Sequence, residues 1–275
     1  MLQLLKPYVE RYPALASTYR QVRDQLRLRR LKPRATPWGF TLLGDDSMVD
    51  GRFEPVETEL VIAHLARTDV FVDVGTHVGF FTCLAGSKGV HTVSFEPVAD
   101  NLACLYTNLQ NNGFDRAEVF PMGVSNAPGV RTLYGAATGA SLVSGWSHTS
   151  EAFSRKISVT TIDTVLRGRF EGQRLFVKMD IEGAEWFALE GAAETLARSP
   201  APTWLLEICL TENLPAGETN PHFGKVFAMF RDRGYACHTV DAERRLVTAD
   251  DVDRWVKNGR RDFGSYNFLF TRAAE

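Results

Sequence analysis

Residues 71–97, FVDVGTHVGFFTCLAGSKGVHTVSFEP, constrain the fold more than any other stretch of the chain. Phe71, Val72 and Val74 form a short apolar run rich in β-branched residues, Gly75 to Gly79 form a turn, and helical spacing runs from Phe80 until Gly86 and Gly89 end it. Val90, Val93 and Phe95 predict a second strand with Glu96 at its carboxyl end. Strand, glycine turn, helix, strand and terminal acid make half of a nucleotide-binding α/β unit. Glu96 follows Gly75 by about 20 residues, the spacing at which an acid in such folds hydrogen-bonds a ribose diol. An adenosyl cofactor is therefore expected.

The turn, Gly75, Thr76, His77, Val78 and Gly79, discriminates among such cofactors. A dinucleotide presses its pyrophosphate against backbone N–H groups and needs a middle glycine; His77 stands there instead. Asp73, at the strand end, would repel a pyrophosphate but suits a cation. S-adenosylmethionine carries an ammonium, a sulfonium, a ribose and no phosphate, and so fits Asp73, Gly75, Gly79 and Glu96 better than NAD does. An NAD-dependent oxidoreductase is further disfavoured because no Tyr is followed by Lys four residues on, and no G-x-x-x-x-G-K-[ST] loop is present. The alternatives are a tight turn with no ligand and a non-catalytic binding module that keeps the cofactor fold.

At 275 residues the chain is long enough for one sizeable α/β core with an extension. Its net charge of -2 conceals an asymmetry: residues 1–40 hold nine Lys or Arg against two acids, and the remainder is acidic. Leu15, Tyr19, Val22 and Leu26 predict a basic helix from about Ala14 to Leu31, within an N-terminal extension of residues 1–48. That arm is read as a solvated helix packed on the domain or on a second subunit, giving a possible homodimer; docking to an anionic lipid surface is the other reading. No run approaches a membrane span, no leader is evident, and a cytoplasmic protein is expected. Cys83, Cys104, Cys209 and Cys237 are scattered and read as reduced core thiols.

Beyond the first unit, residues 98–112 predict a crossover helix and Ala117–Met122 a third strand. Gly123 and Val124, after that strand, are candidate walls of the adenine pocket. Residues 125–156 break the rhythm and are read as a substrate-side insertion. An extended segment, 156–162, leads to a short helix that Asp163 is expected to cap. Strands at Leu175–Met179 and 204–208 bring Asp180, Glu182 and Glu207 toward the cleft of the Gly75 turn. Asp180, at the strand tip, is read as functional, whereas Glu182 also suits a helix-capping role. A helix near Phe223–Arg233 and strands at Tyr235–Val240 and Tyr266–Thr271 suggest a terminal hairpin with an antiparallel edge strand.

Four stretches, FEPVETELV, FVDVGTHVGFFT with SFEP, VTTIDTV and KMDIEGAEWFALEGA, make the chain from about residue 49 to 275 resemble the FkbM family of S-adenosylmethionine-dependent methyltransferases. The resemblance implies a Rossmann-like class I methyltransferase fold, an α/β architecture with a seven-stranded, mostly parallel sheet and one antiparallel strand. It implies cofactor contacts at Asp73, Gly75, Gly79 and Glu96, and at Glu54 near the amino-acid end. His77 stands where the family usually has a smaller residue. Members mostly methylate oxygen on sugars, polyketides or other secondary metabolites, and some methylate amide nitrogen in peptides. The D-I-E-G loop after the Leu175–Met179 strand differs from the [ND]-P-P-[YF] loop of enzymes that methylate bases, and the acidic body also argues against a nucleic-acid substrate.

The expected activity is therefore O-methylation of a small-molecule or glycosylated acceptor in natural product biosynthesis. Methyl transfer requires alignment of nucleophile, carbon and sulfur, and removal of a proton. Asp180 and Glu207 are the first candidates for the base, Asp180 also contacting the cofactor, and His222 and His148 follow because imidazole titrates near neutrality. A second version places Mg²⁺ on Asp180, Glu182 and Glu207.

Overall fold

Val70–Val74 is buried at every position, and the architecture is built outward from it. A computed structural model describes residues 31–135, 139–148, 154–215 and 217–272. In chain order the strands are β1 (Arg34–Ala35), β2 (Thr41–Leu42), β3 (Val70–Val74), β4 (His91–Phe95), β5 (Ala117–Phe120), β6 (Gly123–Val124), β7 (Gly129–Tyr134), β8 (Ser154–Thr160), β9 (Leu175–Met179), β10 (Thr203–Glu207), β11 (Ala236–Thr239), β12 (Leu246–Val247) and β13 (Asn267–Thr271). The central sheet has the order β12-β11-β13-β10-β9-β3-β4-β5. Strands β5, β4, β3, β9 and β10 pair in parallel, so their carboxyl ends share one edge. The order reverses between β3 and β9, which opens a crevice above that edge.

Two apolar layers cover the sheet. On one side Trp204, Phe230, Trp255 and Phe270 pack under the helices Phe223–Arg231 and Ala249–Asn258. On the other, Phe71, Phe176 and Leu205 pack against Leu60, Phe80 and Leu84. Phe40, Leu42 and Met48 belong to this second layer, and the Thr41 and Leu43 N–H groups donate to Asn112 and Asn108. Residues 34–48, which charge alone places in the extension, are thus part of the domain body. Residues 14–30 of the expected helix, and with them the homodimer contact, lie outside the described residues, and Leu31 is not helical.

The sheet has eight strands rather than seven, and two of them, β13 and β12, run against their neighbours. The eighth arises because Asp241 accepts from the Glu243 and Arg244 N–H groups and turns the chain back after β11. Strands β11 and β13 pair antiparallel, as the expected terminal hairpin requires, but the antiparallel edge strand is β12 and not β13. The intervening helix Ala249–Asn258, closed by a Thr248–Asp251 capping box, returns the chain so that β13 enters between β10 and β11. The insertion is also more ordered than its composition suggests: β7 pairs antiparallel with β8, and β8 parallel with β6. Thr161, not Asp163, caps the Ile162–Leu166 helix; Asp163 accepts from the Glu194 and Thr195 N–H groups at 2.8 Å and caps the Ala193–Leu196 helix, two helices further on. All four cysteines are buried and unpaired. No helix among the described residues is long and apolar enough to cross a membrane.

Candidate active site

Gly75 leaves β3 at φ +88, where a side chain is disfavoured, and a Cβ there would lie 1.9 Å from the Asp180 carbonyl oxygen. Its N–H and that of Thr76 donate to the Phe95 carbonyl, and the Asp180 N–H donates to Val74. The turn is therefore clamped between the ends of β4 and β9. A cavity of about 290 Å³ opens above it, close to the lower end of the ~300–1,000 Å³ of small-molecule sites.

Glu96 lies at the β4 end of this cavity, 4% exposed. One carboxylate oxygen accepts from the Val98 N–H at 2.7 Å and the other from the His77 N–H at 2.9 Å. His77 has φ +53, the left-handed region that glycine occupies at low cost. Its amide, which in a dinucleotide site would face pyrophosphate, is bonded to Glu96. Burial raises the Glu96 pKa to about 7, against the hydrogen bonds from Val98, Asn101 and His77. Each oxygen keeps lone-pair capacity for a ribose hydroxyl. Gly123 and Val124 line the cavity beyond, with Leu133, Leu142 and Ile157 of the insertion making an apolar wall.

The opposite end is acidic. Asp73 is buried, and one of its oxygens accepts from the Thr76 and Thr82 hydroxyls at 2.6 Å each. Burial raises its pKa, opposed by Lys178 and these hydroxyls. Glu54, the residue before Pro55 at the start of the Pro55–Leu65 helix, is held at φ +39. One of its oxygens is buried without a hydrogen-bond partner among the described residues, and burial raises its pKa to about 7. Glu207, at the end of β10, is raised to about 9 by burial and then by Asp180 and Glu182. Asp180 lies 3.4 Å from the Lys178 ammonium, which is 4.7 Å from the Phe81 ring centroid. Three non-glycine residues with positive φ, Glu54, His77 and Glu182, line this one cavity, a concentration of backbone strain typical of ligand sites.

Thus Glu54, Asp73, Gly75, Thr76, His77, Glu96, Gly123, Val124, Asp180, Glu182 and Glu207 are brought together. Gly79 stands just behind them as the N-cap of the Phe80–Ser87 helix, with the Leu105 side chain where a Cβ would point. His222 is not among the lining residues: its ring stacks on Trp186, with centroids 5.5 Å apart and planes 1° apart, and the capping position holds it there. His148 lies in the short Trp146–His148 turn of the insertion.

The residues of the magnesium version do not fit a metal ion. Among the described residues no three His, Cys, Asp or Glu are grouped to hold one. Glu182 accepts from the Trp146 indole at 2.6 Å, and the cation beside Asp180 is Lys178. Nor does Glu182 cap the helix that follows. That helix, Glu185–Glu190, starts after Ala184 with no side-chain cap, and its first residue, Glu185, reaches back to accept from the Ile181 and Gly183 N–H groups of the loop. Lys178 and Glu185 escape a reading of the sequence, although a lysine inside the apolar run LFVKM is a visible irregularity.

A model of the methyltransferase FkbM domain matches residues 73–237, more than half of the chain, from the end of β3 into β11. The chain belongs to the FkbM methyltransferase family. The matched segment is a methyltransferase domain. No curated protein matches the chain. Among solved structures, an FkbM methyltransferase from Methylobacillus flagellatus is 18% identical, with 93% of this chain and 60% of that chain covered and a TM-score of 0.44. The chain thus spans 60% of the length of that protein. A precorrin-6y C5,15-methyltransferase from Geobacter metallireducens is 10% identical over 85% of this chain and 95% of that one, with a TM-score of 0.42. An O-methyltransferase from Bacillus cereus, in complex with S-adenosylhomocysteine, is 10% identical over 79% and 80%, with a TM-score of 0.43. Likenesses this distant identify no substrate.

Proposed function

We propose that this FkbM chain transfers a methyl group from S-adenosylmethionine to a hydroxyl oxygen of a small or glycosylated metabolite. The observation that carries the reading is the convergence of Asp180 and Glu207, from the ends of adjacent parallel strands, on the cavity that also holds the Gly75 turn and Glu96. Bound S-adenosylmethionine supplies an electrophilic methyl on a sulfonium. Glu96 accepts the ribose hydroxyls, and Gly123 and Val124 flank the adenine. The turn from Gly75 to Gly79 supports the ribose and methionine portions, and Glu54 and Asp73 face the ammonium.

On the β9–β10 side, Asp180 accepts the proton of the acceptor hydroxyl as its oxygen reaches the methyl carbon. A general base of this kind contributes roughly 10²–10⁴-fold. Glu207, with a pKa of about 9, is neutral at pH 7 and donates a hydrogen bond that orients the acceptor. The Asp180–Glu182 loop is tied to the insertion by the hydrogen bond from the Trp146 indole to Glu182, which holds it in place beside the transfer path.

The test is incubation with methyl-labelled cofactor and a panel of hydroxylated acceptors, including glycosides, with the product's methyl position read by mass spectrometry and NMR. The expected result is an oxygen-linked methyl, with Asp180→Asn lowering turnover by about 10²-fold or more and weakening S-adenosylhomocysteine binding far less. A methyl on amide nitrogen would replace the hydroxyl reading with the peptide one. Cofactor binding without transfer to any acceptor class would support the binding-module alternative.

A further inference from the structure

Every position of β9, LFVKM, is buried, yet the fourth is a lysine. Lys178 stands in register with Asp73 on β3 and Leu205 on β10, on the sheet face covered by the Phe80–Ser87 helix. Phe81 lies against its ammonium, and Asp180 accepts the one hydrogen bond it makes among the described residues, at 3.4 Å. An ammonium has three donors, and burying one is costly unless they are used. The acids facing it are Asp180, Glu54, Asp73 and Glu207. Burial lowers the Lys178 pKa, but these four carboxyls together outweigh it and the group stays charged. Burial meanwhile raises Glu54 to about 7 and Glu207 to about 9, so the acids do not spend the whole charge of the ammonium.

The methionine end of the cofactor carries an ammonium and a carboxylate. The acids of this end suit the first and repel the second. Among the described residues lining the cavity, Lys178 is the one Lys or Arg, and it stands at the β3–β9 crevice beside the Gly75 turn. We infer that Lys178 binds the α-carboxylate of the cofactor's methionine end, while the surrounding acids take its ammonium. This assignment rests on the cavity being the S-adenosylmethionine site. It makes the lysine a cofactor-selecting group, and not only a neutraliser of the acid cluster.

Decarboxylated S-adenosylmethionine, which keeps the ammonium and sulfonium and lacks the carboxylate, separates these roles. Calorimetry on the full chain at pH 8 would compare both ligands in the wild type, Lys178→Met and Lys178→Arg. The wild type is expected to prefer the intact cofactor by roughly tenfold or more, the scale of a charge-assisted hydrogen bond. Lys178→Met is expected to abolish the preference by weakening the intact cofactor alone, and Lys178→Arg to restore part of it. Absence of a preference in the wild type overturns the assignment even if Lys178→Met fails to fold. Equal weakening of both ligands by a folded Lys178→Met also overturns it and leaves Lys178 a structural cation. Binding of neither ligand by the wild type would instead refute the cofactor site itself.

Discussion

At Gly75 the chain has no room for even one carbon, since a Cβ would meet the carbonyl oxygen of Asp180. Gly75→Ala is predicted to separate the turn from the end of β9, costing about 3 kcal/mol in urea unfolding and abolishing binding of S-adenosylhomocysteine. The acids give two pH predictions. Glu96 and Glu54 each have a pKa near 7 without ligand, and ribose hydroxyls and an ammonium favour their ionised forms. Cofactor affinity is therefore predicted to rise between pH 6 and pH 8, as calorimetry at each pH would show. Glu207 moves from an ordinary 4.5 to about 9, chiefly by burial. A raised acid stabilises the fold below its unfolded pKa and ceases to do so as pH rises through its folded one. Stability of the ligand-free protein is thus predicted to fall from about pH 5 to pH 9, and Glu207→Gln to flatten that slope. Gly75 and Glu96 were legible in sequence because their roles follow from spacing within one unit. Glu54 is reached only through the resemblance of FEPVETELV, and Lys178 and Glu185 not at all, because their places depend on which strands and helices become neighbours.

The elements show the same division between local and long-range information. Strands β3, β4 and β9 and the helix after the turn follow from apolar runs and glycines, whereas the insertion owes its three-stranded sheet to pairing of β7 with β8 across unrelated sequence. The Ala249–Asn258 helix escapes the reading of the sequence although Thr248 and Asp251 stand at capping-box spacing before it and Gly259 after it, and it decides where β13 enters the sheet. Asp163 looks like a local cap and serves a distant helix instead. Asp163→Ala is predicted to cost about 1–2 kcal/mol, with exchange protection lost at Ala193–Leu196 and not at Ile162–Leu166, measurable by hydrogen exchange. Trp146 ties the insertion to the site through Glu182, and its ring lies where a Cβ on Gly183 would point. Trp146→Ala is predicted to raise exchange in residues 139–148 and to weaken cofactor binding several-fold, because Leu142 of that stretch lines the cavity.

Over the whole molecule, the parallel carboxyl edge of β4, β3, β9 and β10 sets out the cavity residues in strand order, Glu96, the Gly75 turn, Lys178 with Asp180, and Glu207, and the proposed function assigns ribose to the first and the acceptor to the last. A ligand that binds only the folded domain stabilises it by about 2.7 kcal/mol at a hundredfold excess over its Kd. S-adenosylhomocysteine is accordingly predicted to raise the melting temperature by several degrees. The parallel core and the site at its edge were readable from two glycine-turn and acid motifs. The eighth strand and the place of β13 were not, because they are settled by how a returning chain finds a free edge. The most direct measurement is a calorimetric titration with S-adenosylhomocysteine and, separately, NAD, on the wild type and Glu96→Ala. Saturable binding of S-adenosylhomocysteine alone, weakened by roughly tenfold or more in the variant, is the predicted result; binding of NAD, or S-adenosylhomocysteine binding indifferent to Glu96, would contradict the account.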